Sequence, residues 1–372
     1  MPPRKVGTGA SSPAGKSNKV FSLKQLADHL GLAPTTVSLV MNHSPVAKTI
    51  APETREAILE AARKFNYRPN FLARSLRTGR SFTIGVMVPE VSDAYTGTVM
   101  SGIEEHLLTE GYFYFVASHQ FKQDLIDEYC QLFLDRSVDG LIVVCAPWTR
   151  DLPMPVVTVS SHHHVPGATS IVLDHQRAAE VALEHIMQLG HRRIAFIKGQ
   201  SFVPDTEVRW RAIVEVAARL GVTVHRQLVT QIEGNSPSPA LAYRVTRELL
   251  ASGQRFSALF AFNDVCAIGA IHALQEFGLR VPEDVSVVGF DDIESAQYQT
   301  PGLTTVRQPL REMGRLAAET VMRRISRSLP ESDGKPAYIV VEPQLVVRAT
   351  TSPWCAQEAP AQAKTRGKSR RS

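Results

Sequence analysis

The chain has 372 residues, of which 44% are hydrophobic and 21% are charged, a mixture typical of a globular protein with two or three domains. No run of about 18 apolar residues occurs, which excludes a membrane-spanning helix and a membrane partner. The first twenty residues also lack the apolar core of a secretory signal, so we expect a cytoplasmic protein.

Charge is distributed unevenly along the chain. Residues 1–80 carry 13 Lys and Arg against 4 Asp and Glu, and residues 355–372 carry 5 against 1, whereas residues 81–354 carry 23 against 31. A basic N-terminal region followed by an acidic region suggests that the N-terminal region binds a polyanion such as nucleic acid. Charge alone leaves open the alternative that the basic ends serve only solubility.

Both ends of the chain and its cysteines carry little further information. Residues 1–20 and 355–372 show no apolar period, and we interpret them as disordered basic tails. The cysteines, none of which forms a CxxC pair, are scattered, as expected for buried thiols in a reduced protein rather than for a metal or redox site: Cys130, Cys145, Cys266 and Cys355. We expect no cofactor.

Residues 21–68 are predicted to form three short helices. Ser22, with Gln25 three residues later, forms a capping box that starts the first helix, and Gly31 ends it. Pro34 and Pro52 each suit a first helical position, so the second and third helices are expected to begin there.

The first two of these helices are spaced like a helix-turn-helix motif. Ala27 is small where the helices would cross, Gly31 permits the turn, and Val37 would pack back on the first helix. The second helix then presents short polar groups and methyls suited to base edges and phosphates. The predicted DNA contacts are Pro34, Thr35, Thr36 and Leu39 for bases, and Ser22, Ser38 and Asn42 for phosphates. An ordinary three-helix miniature core is the alternative.

Residues 69–80 are predicted to form a hinge helix and linker. The helix would start at Asn70 and end at Gly79, with Arg74 and Arg77 on a basic side and Leu76 on an apolar side. So short a helix is marginal alone, which favours phosphates as partners for the arginines and a minor-groove wedge role for Leu76. A connector with a buried Leu76 is the alternative.

Residues 81–354 are predicted to form a two-lobed α/β core. Short apolar runs such as FTIGVMV, GLIVVC, RIAFIKG and VSVVGFDD alternate with helical spacings such as HQRAAEVALEHIMQLG. Strands that alternate with helices indicate parallel sheets covered on both faces. About 270 residues of this pattern is large for one sheet and natural for two lobes.

The chain resembles transcriptional regulators of the LacI/GalR family. The resemblance covers about residues 21–350 and is strongest in SLKQLADHLGLAPTTVSLVMN, PETREAILEAARKFNYRPNFLARSLRTGRSFTIGV, FNDVCAIGAIHAL and VPEDVSVVGFDDIESAQYQTPGLTTVRQP. It implies an α plus α/β fold: an N-terminal helix-turn-helix headpiece and a hinge helix, followed by a two-lobed, periplasmic-binding-protein-like core. It also implies a homodimer on double-stranded, pseudo-palindromic operator DNA, with Pro34, Thr35 and Leu39 at the main base-reading positions and Leu76 at the minor-groove position.

The sequence departs from the family pattern in three places of the headpiece. Ala33 stands where a capping Ser is usual, and Leu39 occupies a position that is often Arg or His, which puts the operator sequence in doubt. The loop HSPVAKTIA also looks a few residues long.

The resemblance also implies a small-molecule effector in the cleft between the lobes. Arg209 matches the family's effector arginine, Asn263 and Asp291 match polar contacts, and Tyr95 is a candidate stacking residue. Ser160 stands where an Asp is common. An inter-lobe salt bridge or helix capping is the alternative for Arg209 and Asp291.

Three adjacent histidines suggest a metal at first sight. His162, His163 and His164 cannot all point at one ion, so we interpret them as part of a variable loop and predict no metal site. No arrangement of catalytic side chains can be assigned from spacing.

The sequence thus predicts a DNA-binding regulator, most simply a repressor, that is controlled by a small-molecule effector. We expect it to be associated with the nucleoid when it is bound to DNA. A solute-binding protein and a sugar-processing enzyme with the same core fold are the alternatives, and both lack a reason for residues 21–77.

Overall fold

The computed structural model describes residues 21–42, 44–67, 75, 79–162, 167–234, 238–326 and 337–354. The chain divides into two units between Ser81 and Phe82. Across the part of the chain described, no helix combines the length and the apolar character needed to cross a membrane.

The first unit contains the three predicted helices. These are α1 (Leu23–Leu30), α2 (Pro34–Met41) and α3 (Pro52–Lys64), with a 3-10 helix at Pro45–Thr49 inside the stretch that the sequence suggested was a loop. The Ser22–Gln25 capping box is present, and Gly31 ends α1 at φ 63°, a left-handed conformation that glycine adopts without steric cost.

A small apolar core holds these helices together. Its buried members come from all three helices and the 3-10 helix: Leu26, Ala27, Val37, Val40, Ala47, Ile58, Ala61 and Ala62. Ala27 and Val37 therefore occupy the crossing that the helix-turn-helix spacing requires.

The second unit contains two six-stranded sheets. The first sheet consists of β1 (Thr83–Val88), β2 (Phe113–Ser118), β3 (Gly140–Val144), β4 (Val156–Val159), β5 (Ala168–Leu173) and β11 (Ala337–Val341), all parallel, in the order β11-β5-β4-β3-β1-β2. The second consists of β6 (Ile194–Lys198), β7 (Val229–Gln231), β8 (Ala258–Ala261), β9 (Ser286–Asp291), β10 (Thr304–Arg307) and β12 (Gln344–Val346), in the order β12-β10-β9-β8-β6-β7. Among the described strands, only β12 pairs antiparallel.

Helices cover the sheets, as parallel sheets require. They are α4 (Ala94–Thr109), α5 (Gln123–Asp135), α6 (His175–Gln188), α7 (Pro204–Arg219), α8 (Pro239–Ala251), α9 (Asp264–Glu276), α10 (Glu294–Tyr298) and α11 (Leu310–Ser326). The two-lobed α/β core that the sequence predicted is confirmed.

Within the described residues, three segments of the chain pass between the two lobes. The first joins β5 to α6, the second joins β10 to α11, and the third joins β11 to β12. Helix α6 contacts α7, β10 and β12 of the second lobe, whereas α11 contacts α4 and strands β3, β4 and β5 of the first. The carboxyl ends of strands from both sheets therefore lie near the crossings, where ligand sites of such folds form.

Helices α4 and α11 approach closely through glycines. A Cβ on Gly102 would lie 1.9 Å from the carbonyl oxygen of Arg311, and a Cβ on Gly314 would lie 2.0 Å from the carbonyl oxygen of Val99. Both neighbours are backbone atoms, so neither can rotate away. The pairing of α4 with α11 fixes the second crossing against the first lobe.

We expect Gly102→Ala to destabilise the core by about 1–3 kcal/mol, because the added methyl forces the two helices apart. Gly97 lies on the same helix, and no described atom lies within 4 Å of the place that its Cβ would occupy, so Gly97→Ala should instead stabilise by about 0.5–1 kcal/mol through helix propensity. Urea unfolding followed by circular dichroism measures both. A shift in the same direction for the two variants would refute the close-packing argument.

Candidate functional site

The exposed side of α2 is the candidate nucleic-acid interface. Pro34 and Thr35 are exposed at its amino end, and Thr36 lies beside them. Ala33 precedes the helix in extended conformation without a side-chain capping bond, as its sequence implied. The exposed amino end of α2 thus offers a methyl and a hydroxyl from Thr35 without a competing intramolecular cap.

Three predicted contacts are already engaged within the headpiece. The Asn42 amide nitrogen donates to the Ser38 carbonyl oxygen at 2.8 Å and to its hydroxyl oxygen at 3.1 Å. The Ser22 hydroxyl accepts from the Gln25 backbone N–H at 3.2 Å. Leu39, expected on the exposed side, is half-buried and packs against the core, so only part of its side chain can reach a partner. The predicted hinge residues Asn70, Arg74, Leu76 and Arg77 lie outside the described residues.

A polar cleft lies where strand ends of the second unit converge. Its free volume is about 70 Å³, which makes it a narrow cleft in this structure. Its lining includes four of the five predicted effector residues, and the full set is Pro89, Asp93, Tyr95, Phe121, Cys145, Gln200, Val203, Asp205, Arg209, Phe262, Asn263, Asp291 and Gln308.

Arg209 is the central cation of the cleft and is only 4% exposed. One guanidinium nitrogen donates to Asp205 Oδ2 at 3.2 Å, one turn earlier on α7, and another donates to the Phe262 carbonyl oxygen. The guanidinium carbon lies 3.7 Å from the Phe290 ring centroid and 4.5 Å from that of Phe262. Cation–π contact and the ion pair together compensate a charge that burial would otherwise make costly. This ion pair lies within one helix of the second lobe, so it differs from the inter-lobe salt bridge that the sequence left as the alternative for Arg209.

Asp291 and Asn263 provide the cleft's other predicted polar groups. Asp291 ends β9 at φ 113°, and its Oδ1 accepts from the Gln308 amide at 2.6 Å. Burial raises the pKa of its carboxyl well above the usual value, despite the nearby Arg209. Asn263 caps α9, since its Oδ1 accepts from the Cys266 backbone N–H at 2.9 Å. The side-chain NH2 of Asn263 is the group that a ligand could meet.

Tyr95 and Ser160 form a pair rather than two separate contacts. The Tyr95 hydroxyl and the Ser160 hydroxyl are 2.7 Å apart. Ser160 is buried at 1% exposure and does not line the cleft, whereas Tyr95 does. Ser160 therefore positions the Tyr95 ring.

Several cleft residues escaped sequence reasoning. The aromatic rings of Phe121 and Phe262 and the carboxylates of Asp93 and Asp205 line the cleft, yet no motif pointed to them. Asp205 had one available signal, because it lies four residues before Arg209, a spacing at which opposite charges pair on a helix. Asp93 caps α4, accepting from the Thr96 backbone N–H at 3.4 Å.

A buried carboxyl, Asp264, lies behind the cleft. Its Oδ2 accepts from the Ile293 backbone N–H at 2.9 Å and its Oδ1 accepts from the Thr305 hydroxyl at 2.5 Å. Burial raises the pKa of Asp264 to about 7, which the two hydrogen bonds partly oppose. Because the folded pKa exceeds the usual value of 3.8, this group's contribution to stability is fully present below about pH 4 and is lost as pH rises through about 7.

We expect Asp264→Asn to flatten the pH dependence of the unfolding midpoint between about pH 4 and pH 7. The amide can accept from Ile293 and donate to Thr305, so the fold should persist. Urea unfolding at several pH values measures the change, and Asp124→Asn, at an exposed position of α5, is the matched control. An unchanged profile in Asp264→Asn would show that other groups set the pH dependence.

Comparisons with known proteins identify relatives of both units. Residues 22–70 match the family described as bacterial regulatory proteins, lacI family, and residues 183–351 match the family described as periplasmic binding protein-like domain. The HTH-type transcriptional repressor PurR of Haemophilus influenzae is 31% identical over 340 residues, covering 88% of this chain and 97% of the relative.

Solved structures give the same result for the fold. The lac repressor dimer bound to operator and the anti-inducer ONPF aligns with a TM-score of 0.77 at 24% identity, covering 90% of this chain and all of that one. The complex of the transcriptional regulator CelR with cellobiose aligns with a TM-score of 0.64 at 26% identity, covering 88% and 99% of the two chains.

Proposed function

This chain belongs to the LacI family of bacterial regulatory proteins, and from that premise we propose that it is a transcriptional repressor. It binds a pseudo-palindromic operator as a homodimer and is controlled by a small molecule in the cleft of the second unit. The relative that is 31% identical over 340 residues is named as a transcriptional repressor. The protein acts in the cytoplasm, at the nucleoid when bound to DNA.

The observation that supports this proposal is that one chain contains both a helix-turn-helix unit and a unit with a polar cleft. A helix-turn-helix core exposes the amino end of α2, and a separate α/β unit encloses a polar cleft. A solute-binding protein would need only the cleft, and a constitutive DNA-binding protein would need only the helices. Joined in one chain, they suit a ligand-controlled repressor.

In the proposed complex α2 lies in the major groove. Thr35 and Pro34 meet base edges, and the half-buried Leu39 contributes an apolar contact, such as one with a thymine methyl. Ser22, Thr36, Ser38 and Asn42 face phosphates or neighbouring bases. Residues 69–80 form the hinge helix, with Asn70, Arg74 and Arg77 near phosphates and Leu76 inserted in the minor groove.

The cleft favours a hydroxylated effector without net negative charge. Its one cation, among the described lining residues, is Arg209, which Asp205 already neutralises, and Asp93 and Asp291 add further carboxyl groups. A phosphate or carboxylate would therefore find no uncompensated positive charge among them. Sugar or nucleoside hydroxyls can bond to Asp205, Asn263 and Asp291, while the rings of Tyr95, Phe121 and Phe262 offer apolar faces.

The effector acts by changing how the lobes close. The Gln308 amide, in the crossing between β10 and α11, bonds to Asp291 in the cleft. A ligand that binds Asp291 can therefore change the hydrogen bond that holds a segment joining the two lobes. The coupling free energy between two such sites is typically about 1–3 kcal/mol, and it is reciprocal. Operator DNA should therefore change the affinity for the effector by the same factor by which the effector changes the affinity for operator DNA.

Selection of bound fragments from a random DNA pool, at a stated salt concentration, tests the proposal. We expect an enriched palindrome with a flexible central step. If none appears, the selection is repeated with sugars and nucleosides present. Absence of any enriched sequence under all these conditions would refute a sequence-specific repressor.

We expect Thr35→Ala to change base preference at one position in each half-site, with a loss of about 1–3 kcal/mol at that base pair. The readout is the selected-sequence profile and the affinity for matched and mismatched operators. Thr109→Ala, at an exposed position of α4, removes the same hydroxyl away from the headpiece and should leave the profile intact. An unaltered profile in Thr35→Ala would remove this residue from base reading.

We expect Arg209→Ala to abolish the effector response while operator binding without effector persists, because the substitution removes the cleft cation and leaves Asp205 without its guanidinium partner. The measurements are the ligand-induced thermal shift and the ligand-dependent change in operator affinity. Arg211 lies two residues later on α7 at an exposed position, and Arg211→Ala is the control. A normal response in Arg209→Ala would exclude this cleft as the effector site.

A further inference from the structure

A cluster of two imidazoles and one carboxylate lies beside the cleft. His162 Nε2 is 2.7 Å from Asp205 Oδ1, and His175 Nε2 is 3.7 Å from the same oxygen. The three ligating atoms all lie within 4.8 Å of one another. The sequence predicted no metal site because three adjacent histidines cannot all bind one ion, whereas the fold places His162 beside two residues that are remote from it in sequence.

His175 has an unusual environment for a buried imidazole. It is 5% exposed, and neither of its ring nitrogens has a hydrogen-bond partner among the described residues, the separation of 3.7 Å from Asp205 being too long. Its ring packs against His162 with centroids 5.2 Å apart. Buried polar groups are nearly always bonded, so two unpartnered ring nitrogens, one of them 3.7 Å from a carboxylate oxygen, point to a place where a ligand can bind.

We propose that His162 Nε2, His175 Nε2 and Asp205 Oδ1 form a binding site for a divalent transition-metal ion of the zinc type. In a tetrahedral zinc site with bonds of about 2.0–2.1 Å, neighbouring ligand atoms lie about 3.3 Å apart. The two observed Nε2–Oδ1 separations, 2.7 and 3.7 Å, bracket that value. Three protein ligands leave a fourth position for water.

The charged groups around the site do not oppose the binding of a cation. Arg209 is the fixed positive charge paired with this carboxylate, and it binds Oδ2, the oxygen of Asp205 that the proposed ion does not use. That bond orients the carboxylate with Oδ1 toward the two imidazoles, as partners of metal ligands commonly do. Asp93 and Asp291 line the adjoining cleft and provide further carboxyl groups near Arg209.

The ion would connect the two lobes. His162 follows β4 of the first sheet, whereas His175 and Asp205 begin α6 and α7, helices that pack together in the second lobe. A bound ion would therefore add a bridge between the lobes beside the effector cleft. This inference does not depend on DNA binding and can be tested on the free protein.

The experiment is titration of Zn²⁺ into the chelator-treated full chain by calorimetry, with Co²⁺ absorption to report coordination geometry. We expect one tight ion per chain and a tetrahedral Co²⁺ spectrum. His162→Gln, His175→Gln and Asp205→Asn should each lower Zn²⁺ affinity by at least about tenfold. Circular dichroism checks folding, and the partly exposed His162 keeps the test valid if His175→Gln fails to fold.

Two controls separate this site from chance binding. His272→Gln removes an exposed imidazole on α9, and a variant with His163 and His164 both changed to alanine removes the adjacent histidines. Both should retain the tight site. The proposal is overturned by no saturation at one equivalent, by full affinity in the three ligand variants, or by loss of binding in the His163 and His164 control with retention in His175→Gln.

Discussion

The buried ion pair between Asp205 and Arg209 is the interaction on which the cleft depends. A guanidinium this deeply buried is tolerated only with a charge partner, and removal of one member would leave the other uncompensated at a cost of about 3–5 kcal/mol. The pair also fixes geometry, because Arg209 bonds the Phe262 carbonyl and stacks on Phe290. It thereby holds the start of α7 against the ends of β8 and β9, where Asn263 and Asp291 lie.

The same geometry explains how a ligand could affect the whole second unit. Only three chain segments join the lobes among the described residues, and one of them carries Gln308, whose amide bonds to Asp291. On its far side that segment continues into α11, which packs tightly on α4 through Gly102 and Gly314. A displacement of Asp291 by an effector would therefore be passed to a rigid helix pair rather than absorbed by a loose loop.

Local patterns in the sequence were sufficient for the elements but not for the contacts between them. The capping box at Ser22, the turn at Gly31 and the apolar strand runs each depend on neighbouring residues, and all were predicted correctly. The side chains of Ser38 and Asn42 were predicted as separate phosphate contacts, whereas they form a hydrogen bond with each other. Their spacing of four residues along the chain could have indicated this bond. The approach of His175 to His162 could not be predicted, because it depends on the crossing that places α6 in the second lobe.

Ser160 shows how one departure from the family pattern changes the chemistry of the cleft. An Asp is common at this position in the family, whereas Ser160 is buried and its hydroxyl bonds to the Tyr95 hydroxyl. A carboxylate there would be buried beside a cleft that already contains Asp93, Asp205 and Asp291, and mutual repulsion would raise the cost of ionising each of them. Serine keeps Tyr95 in place through a neutral hydrogen bond instead. The charged and amide groups of the lining then lie mainly in the second lobe, on Asp205, Arg209, Asn263 and Asp291. Ligand selection in this protein should therefore depend more on the second lobe than the family pattern implies.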